Sequence, residues 1–348
     1  MTLGIIDVGT NSIHLLIGVV TLQGGFHVIL KERDMTRLGE GGLRRGMLTR
    51  AAMDRAIRIL KRYASTLRHS GVDHVEAVAT SAARGARNGR TFVRRVRERT
   101  KIPLRVITGR EEARLTYLGI YQAHNFRHPV SIVTFGGGSA QVICGSGFKM
   151  GYAASVPLGG ARLKQMFFQN DPPLPEEVVA LQRHVQRVWR PVVKEARRHR
   201  WAQAFGASAT VGQVMLAARV RAGKRLPNAP EELSITQPQL KKLIDWLCHA
   251  DARARIQEAE LDPRREDLVL GVAIALQAWM TGCGIRTLRF TPGSIREGLV
   301  VDFLIRHYER RIRKVENPLM QLLAMQELDG MRLSVRRGRP VRVVRRLR

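Results

Sequence analysis

Residues 5–18 read IIDVGTNSIHLLIG and residues 132–145 read IVTFGGGSAQVICG. Laid together without a gap, apolar residues fall on apolar residues, Gly9 on Gly136, Ser12 on Ser139 and Gly18 on Gly145. Each copy is an apolar run, a turn of small residues and a second apolar run, the pattern of a β-hairpin. One such hairpin says little, since glycine-rich hairpins are common. Two copies offset by 127 residues predict two similar lobes, each opening with the same hairpin.

Such turns suit an anion. Glycine lets the main chain approach closely and adopt positive φ, so successive backbone N–H groups and small hydroxyls can converge on a phosphate. Two facing turns would grip a phosphate chain from both sides; two ordinary hairpins without a ligand are the plainer alternative. Neither turn is a Walker loop, because the lysine and following Ser/Thr of GxxxxGK[ST] are absent. A third junction, AFGASATVGQVMLAARV, runs from a short apolar stretch through Gly206, Ser208 and Thr210 into a helical pattern. A helix N-terminus reached through small residues is a secondary candidate for an anion or nucleotide.

Between the hairpins, strand and helix alternate: strands over 26–33, 74–80 and 103–107, helices over 50–69, 90–99 and 110–122. Glu111 and Glu112 open the last of these, where carboxylates suit the helix dipole. After the second hairpin, 176–200 reads as a long helix with Val178, Leu181, Val185, Val188 and Val192 on its apolar face. Its stripe of Arg183, Arg187, Arg190, Lys194 and Arg197 is either a solvated face or a polyanion track. A buried helix over 266–281, the strand RTLRFT and a helix over 295–310 follow. From Arg332 to Arg348 there are eight arginines and no acid, which reads as a basic extension that adds polyanion affinity.

The 348 residues, 44% of them apolar, suffice for two domains with buried cores. The chain carries 59 Lys plus Arg against 29 Asp plus Glu, a net charge of +30. That field attracts polyanions without choosing among them, and it admits non-specific nucleic-acid binding. No DNA-binding motif or RNP-type aromatic pattern supports more, with aromatic residues at only 5%. No apolar run is long enough for a membrane span and no secretory leader pattern is present, so a cytoplasmic protein without membrane attachment is expected. Cys144, Cys248 and Cys283 are widely spaced and are expected to be buried thiols, not a disulfide framework or metal site.

IIDVGTNSIHLLI, TSAARGARN, ITGREEARLTYLGI, FGGGSAQ, PLGGARL, FGASATV, RREDLVLG and IREGLVVDFL occur in the order and spacing of the exopolyphosphatase/guanosine pentaphosphatase family. The resemblance covers residues 1–306 or so, and it rests on all these strings in register. It implies an α/β, two-lobed actin-like (ribonuclease H-like) ATPase fold with a ligand cleft between the lobes. It also implies release of terminal phosphate from inorganic polyphosphate or pppGpp with a divalent metal, typically magnesium. By position, Gly9, Thr10, Asn11 and Ser12 would form the first phosphate loop, and Gly136, Gly137, Gly138 and Ser139 the second. Asp7 would hold metal or its water shell, Arg84 would lie near the phosphates and Glu112 would activate the attacking water. The lobes are expected at 1–124 and 125–306, with the helix near 295–310 packing back on the first, and a basic extension at 307–348. Family members often dimerise, which leaves a homodimer open.

The second loop of that family reads Asp-x-Gly-Gly-Gly-Ser-Thr-Glu, whereas this chain has Thr134 and Gln141 at the two acidic positions. Fewer carboxylates weaken the hold on a hard cation such as magnesium and make the cleft more positive. The expected function is therefore a phosphoanhydride hydrolase. The alternative is a polyphosphate or guanosine-polyphosphate binding protein that turns over little.

Overall fold

The computed structural model describes residues 1–21, 25–124, 126 and 128–312. Strands β1 (Thr2–Val8), β2 (Ile13–Val20) and β3 (Phe26–Asp34) form an antiparallel meander. Helix α1 (Arg50–His69) leads to β4 (His74–Ala79), and α2 (Ser81–Gly85) and α3 (Gly89–Thr100) lead to β5 (Arg105–Val106). β4 lies parallel to β1, and β5 parallel to β4, giving the sheet order β3-β2-β1-β4-β5. The strand expected over 103–107 shrinks to two residues. Helix α4 (Gly109–His124) then crosses to the second lobe.

The second sheet repeats the first. β6 (Val130–Phe135), β7 (Ala140–Ser146) and β8 (Lys149–Val156) form the antiparallel meander. Helices α5 (Gly160–Phe167) and α6 (Pro175–Ala196) precede β9 (Gln203–Ala207), and α7 (Ala209–Arg221) follows it. Then come β10 (Ser234–Thr236), α8 (Gln237–Leu247), α9 (Ala252–Ala259), α10 (Glu266–Cys283), β11 (Thr287–Thr291) and α11 (Ile295–Ile312). β9 is parallel to β6 and β11 parallel to β9, with β10 added antiparallel at the edge, so the order is β10-β11-β9-β6-β7-β8. The likeness reaches single residues. The register slips at Gly18 in one meander and at Gly145 in the other. A Cβ would come within 2.5 Å of the His27 carbonyl at the first and of the Tyr117 ring at the second, which is why the sequence keeps glycine at both bulges.

The two-lobed α/β architecture expected from the repeat is thus the observed one. Each sheet is covered on both faces. α1 and α3 pack one side of the first sheet through Ala56, Leu60, Tyr63, Phe92 and Val96. α11 packs the other through Leu299, Val300, Phe303 and Leu304, against Leu3, Ile5, Leu16 and Val78. In the second lobe the apolar face of α6 uses Trp189 where Val188 was expected; its indole N–H donates to the Ala275 carbonyl at 2.9 Å and Val188 is only partly buried. Cys144 is buried, but Cys248 and Cys283 are half-buried, a correction to the expectation of three buried thiols. Among the described residues no helix is long and apolar enough to cross a membrane. The basic extension lies, from residue 313 on, outside the described residues.

Candidate active site

The two turns occupy equivalent places in the two sheets and meet between them. In the first, Gly9 N–H donates to the Ser12 carbonyl at 3.0 Å; in the second, Gly136 N–H donates to the Ser139 carbonyl at 2.9 Å. A Cβ on Gly137 would lie 3.0 Å from Thr10 Cβ, and one on Gly138 would lie 2.6 Å from Thr10 Oγ1 and 2.7 Å from Ser81 Oγ. Glycine at 137 and 138 therefore allows the lobes to close to contact, and a larger residue would wedge them apart.

The carbonyls of these turns are occupied. Gly39 and Arg37 donate backbone N–H groups to Thr10 and Asn11, and Gly160 and Arg162 donate to Gly136 and Gly137. The amides of Thr10, Asn11, Gly137 and Gly138 make no backbone hydrogen bond among the described residues. Thr10 Oγ1 is buried and likewise without a partner. Donors left without a backbone partner in two facing turns are an arrangement able to receive an anion. Arg162 spans the lobes, with Nε on the Gly138 carbonyl at 2.9 Å and Nη1 on the Leu43 carbonyl at 3.4 Å.

Asp7, His14 and Arg33 sit side by side across β1, β2 and β3. Burial pushes the Asp7 carboxyl up to about 7; Arg296 opposes this, while Glu112 and Glu297 add to it. Glu112, in the first turn of α4, accepts a hydrogen bond from Arg84 Nη1 at 2.8 Å. Burial raises its proton affinity more than Arg84 lowers it. Glu297, at the start of α11, accepts from Ser294 Oγ at 2.5 Å. Burial would raise this carboxyl, but Arg296 and that hydroxyl outweigh it and hold it below its ordinary value. Arg296 Nη1 donates to His14 Nδ1 at 3.0 Å, and His14 Nε2 lies 2.9 Å from Ser12 Oγ.

Thr134 and Gln141 face one another across β6 and β7, at the register positions that Asp7 and His14 hold in the first lobe. The Gln141 amide nitrogen is 2.8 Å from Ser139 Oγ and 3.2 Å from Ser155 Oγ. Among the described residues no three His, Cys, Asp or Glu side chains converge as a metal cage. Asp7 still fits a hard cation: the residue is half-buried, and no hydrogen bond or ion pair from a described residue satisfies its carboxylate. One carboxylate completed by water and phosphate oxygens is an ordinary magnesium arrangement.

At the third junction, Ser208 is the N-cap of α7 at φ +95°, its hydroxyl accepting from Val211 N–H. Thr210 Oγ1 accepts from Arg265 Nη1 at 3.5 Å. Gly206 lies within β9, where a Cβ would meet Val211 and Leu288 at 2.7 and 2.8 Å, a packing reason for glycine. Arg265, at this junction, lies within electrostatic range of Arg33 in the first lobe. Burial, followed by Arg33, lowers its guanidinium to about 10, so positive charge gathers along this side of the cleft.

The structure thus brings together Asp7, Gly9–Ser12, Arg84, Glu112 and Gly136–Ser139. Sequence reasoning missed Ser81, Arg162, Arg296, Glu297 and the role of His14. The first four lie within TSAARGARN, PLGGARL and IREGLVVDFL, but nothing in spacing alone carries residues near 160 and 296 to a turn near residue 10.

The family model for the Ppx/GppA phosphatase family matches residues 19–307. An exopolyphosphatase from Cytophaga hutchinsonii has a similar structure, with a TM-score of 0.78 at 28% identity over 87% of this chain and 98% of that one. The Ppx/GppA family member from Aquifex aeolicus superposes with a TM-score of 0.70 at 26% identity over 88% and 99%. With fold, turn geometry and family model in agreement, this chain belongs to the Ppx/GppA phosphatase family.

Proposed function

We propose that the chain hydrolyses the terminal phosphoanhydride of inorganic polyphosphate or pppGpp. The observation that carries this reading is the pair of touching turns, whose unpaired amides and orphaned Thr10 hydroxyl face one another, with Glu112 close enough to Asp7 to raise its proton affinity. The Thr10, Asn11, Gly137 and Gly138 amides would hold the phosphoryl oxygens, so the charge that moves during in-line displacement finds fixed donors. Arg84 neutralises Glu112 at rest. An incoming phosphate competes for that guanidinium, and Glu112, its proton affinity raised by burial, becomes free to accept a proton from the attacking water. Asp7 would hold a divalent cation, which supplies charge neutralisation at the phosphate oxygens.

A second reading has its own observation. With Thr134 and Gln141 the second turn lacks acids, and the Gln141 amide is committed to two serine hydroxyls. Such a cleft retains a polyanion well and places a metal poorly, the properties of a binding protein. One experiment separates the two: phosphate release from long-chain polyphosphate and from pppGpp with magnesium, beside Glu112→Gln. Turnover lost in the variant supports the hydrolase; tight binding without turnover in wild type refutes it in favour of the binding protein.

A further inference from the structure

The two turn serines share a device that neither the family match nor the repeat alone assigns. Ser12 Oγ is contacted at 2.9 Å by the side chain two residues on, His14, and Ser139 Oγ at 2.8 Å by the side chain two residues on, Gln141. These are equivalent register positions in the two sheets.

The direction of each bond follows from what the partners can do. Arg296 Nη1 faces His14 Nδ1 at 3.0 Å. A guanidinium only donates, so Nδ1 is the acceptor, and the ring proton of the neutral imidazole sits on Nε2. Nε2–H therefore donates to Ser12 Oγ. Burial and the neighbouring Arg296, Arg33 and Arg265 all oppose a second ring proton, in keeping with this tautomer. In the second lobe the Gln141 amide NH2 donates to Ser139 Oγ. A hydroxyl whose oxygen accepts from behind must point its own proton elsewhere, and the donor in place sharpens that proton's acidity.

We propose that His14, oriented by Arg296, and Gln141 are positioning residues that turn the Ser12 and Ser139 hydroxyls into matched donors toward one phosphoryl group between the turns. The inference rests on the phosphate-binding reading given above. It also changes the meaning of Gln141. A glutamate there would accept the Ser139 proton and draw it away from the anion, whereas glutamine frees it. The loss of an acidic group is thereby offset, for binding, by the gain of a hydroxyl donor.

The test is the affinity for long-chain polyphosphate, measured with a metal chelator present, in Ser12→Ala, His14→Leu, His14→Gln and the Ser12→Ala/His14→Leu pair, with thermal melts confirming folding. Each single loss is expected to weaken binding about ten- to a hundredfold, the worth of one hydrogen bond to a charged group. The double variant should be no weaker than Ser12→Ala alone. His14→Gln, which carries into the first lobe the donor used in the second, should restore near-wild-type affinity. In the second lobe Gln141→Glu should weaken metal-free binding while Gln141→Leu in a Ser139→Ala background adds nothing. Multiplying effects of Ser12→Ala and His14→Leu, or folded His14→Gln that fails to rescue, would overturn the proposal while leaving the phosphate site intact. If wild-type protein binds no polyphosphate, the functional reading itself falls. Should His14→Leu not fold, the Gln141 arm decides alone: an unchanged affinity in Gln141→Glu refutes the device.

Discussion

Replacing Asp7 by asparagine should make the metal-free protein more stable near pH 8. The carboxyl is buried among Glu112, Glu297 and Arg296, and its pKa moves from 3.8 to about 7. Below 3.8 it is protonated in both folded and unfolded chains, and burial carries no ionic penalty. Between 3.8 and about 7 the unfolded chain gives up its proton while the folded chain keeps it, so stability falls as pH rises through this window. Above it the whole shift is expressed, about 4 kcal/mol. Asparagine keeps the shape and removes the titration. Urea unfolding in chelator, followed by circular dichroism, should show the variant more stable by about 2–4 kcal/mol near pH 8, with the gap closing near pH 4. Magnesium should then stabilise wild type more than the variant, since the variant gives up the Asp7 carboxylate and keeps Glu112 and Glu297. A variant that is less stable than wild type at the higher pH, or a gap that is the same at both, would refute the reasoning.

Glu112→Gln should lower phosphate release by about a hundred- to ten-thousandfold, the range for removing a general base, while polyphosphate affinity in a filter or polarisation assay holds or rises because Arg84 is freed. Thr134→Asp with Gln141→Glu should raise turnover by about an order of magnitude and lower the magnesium concentration needed, as restored carboxylates place the cation; a magnesium titration of phosphate release checks both. Arg255→Leu should destabilise the second lobe by about 3 kcal/mol, because Arg255 is buried and bonded to Asp171 and Glu266 and its loss strands the acids; chemical denaturation measures it. Gly298→Ala should lower the melting temperature of the whole protein, since its Cβ would fall 1.7 Å from the Leu115 carbonyl.

The fold was legible because its repeat is written in residues with few substitutes. A turn that must approach another backbone keeps glycine at 137 and 138, and a bulge keeps it at 18 and 145, so two hairpins announce themselves without further help. β8 and α5 were not legible: KMGYAASV alternates weakly, and GARLKQMF is short enough to be a helix only because Leu163 reaches the core. At the candidate site, the turns, Asp7 and Glu112 were named from local pattern and family position, and the fold brings them together. Arg162, Arg296 and Glu297 were not assigned roles, since each reaches the turns from a distant stretch of chain. Gln141 was read only as a missing charge. Its hydrogen-bond direction depends on Ser139 and Ser155 meeting one amide, which no linear pattern records.

Helix α11 comes after every strand of the second sheet, yet it buries Leu3, Ile5 and Leu16 of the first. It also crosses α4 at Gly119 and Gly298, where the backbones are too close for any side chain between them. A fragment ending at His124 would therefore bare one whole apolar side of its sheet, and the first lobe can be completed only when α11 has been made. On the ribosome this postpones assembly of the candidate site, because Glu297 and Arg296 arrive with that helix. Until then both turns exist, but His14 lacks the Arg296 guanidinium that orients it, so an anion met early finds an unfinished grip.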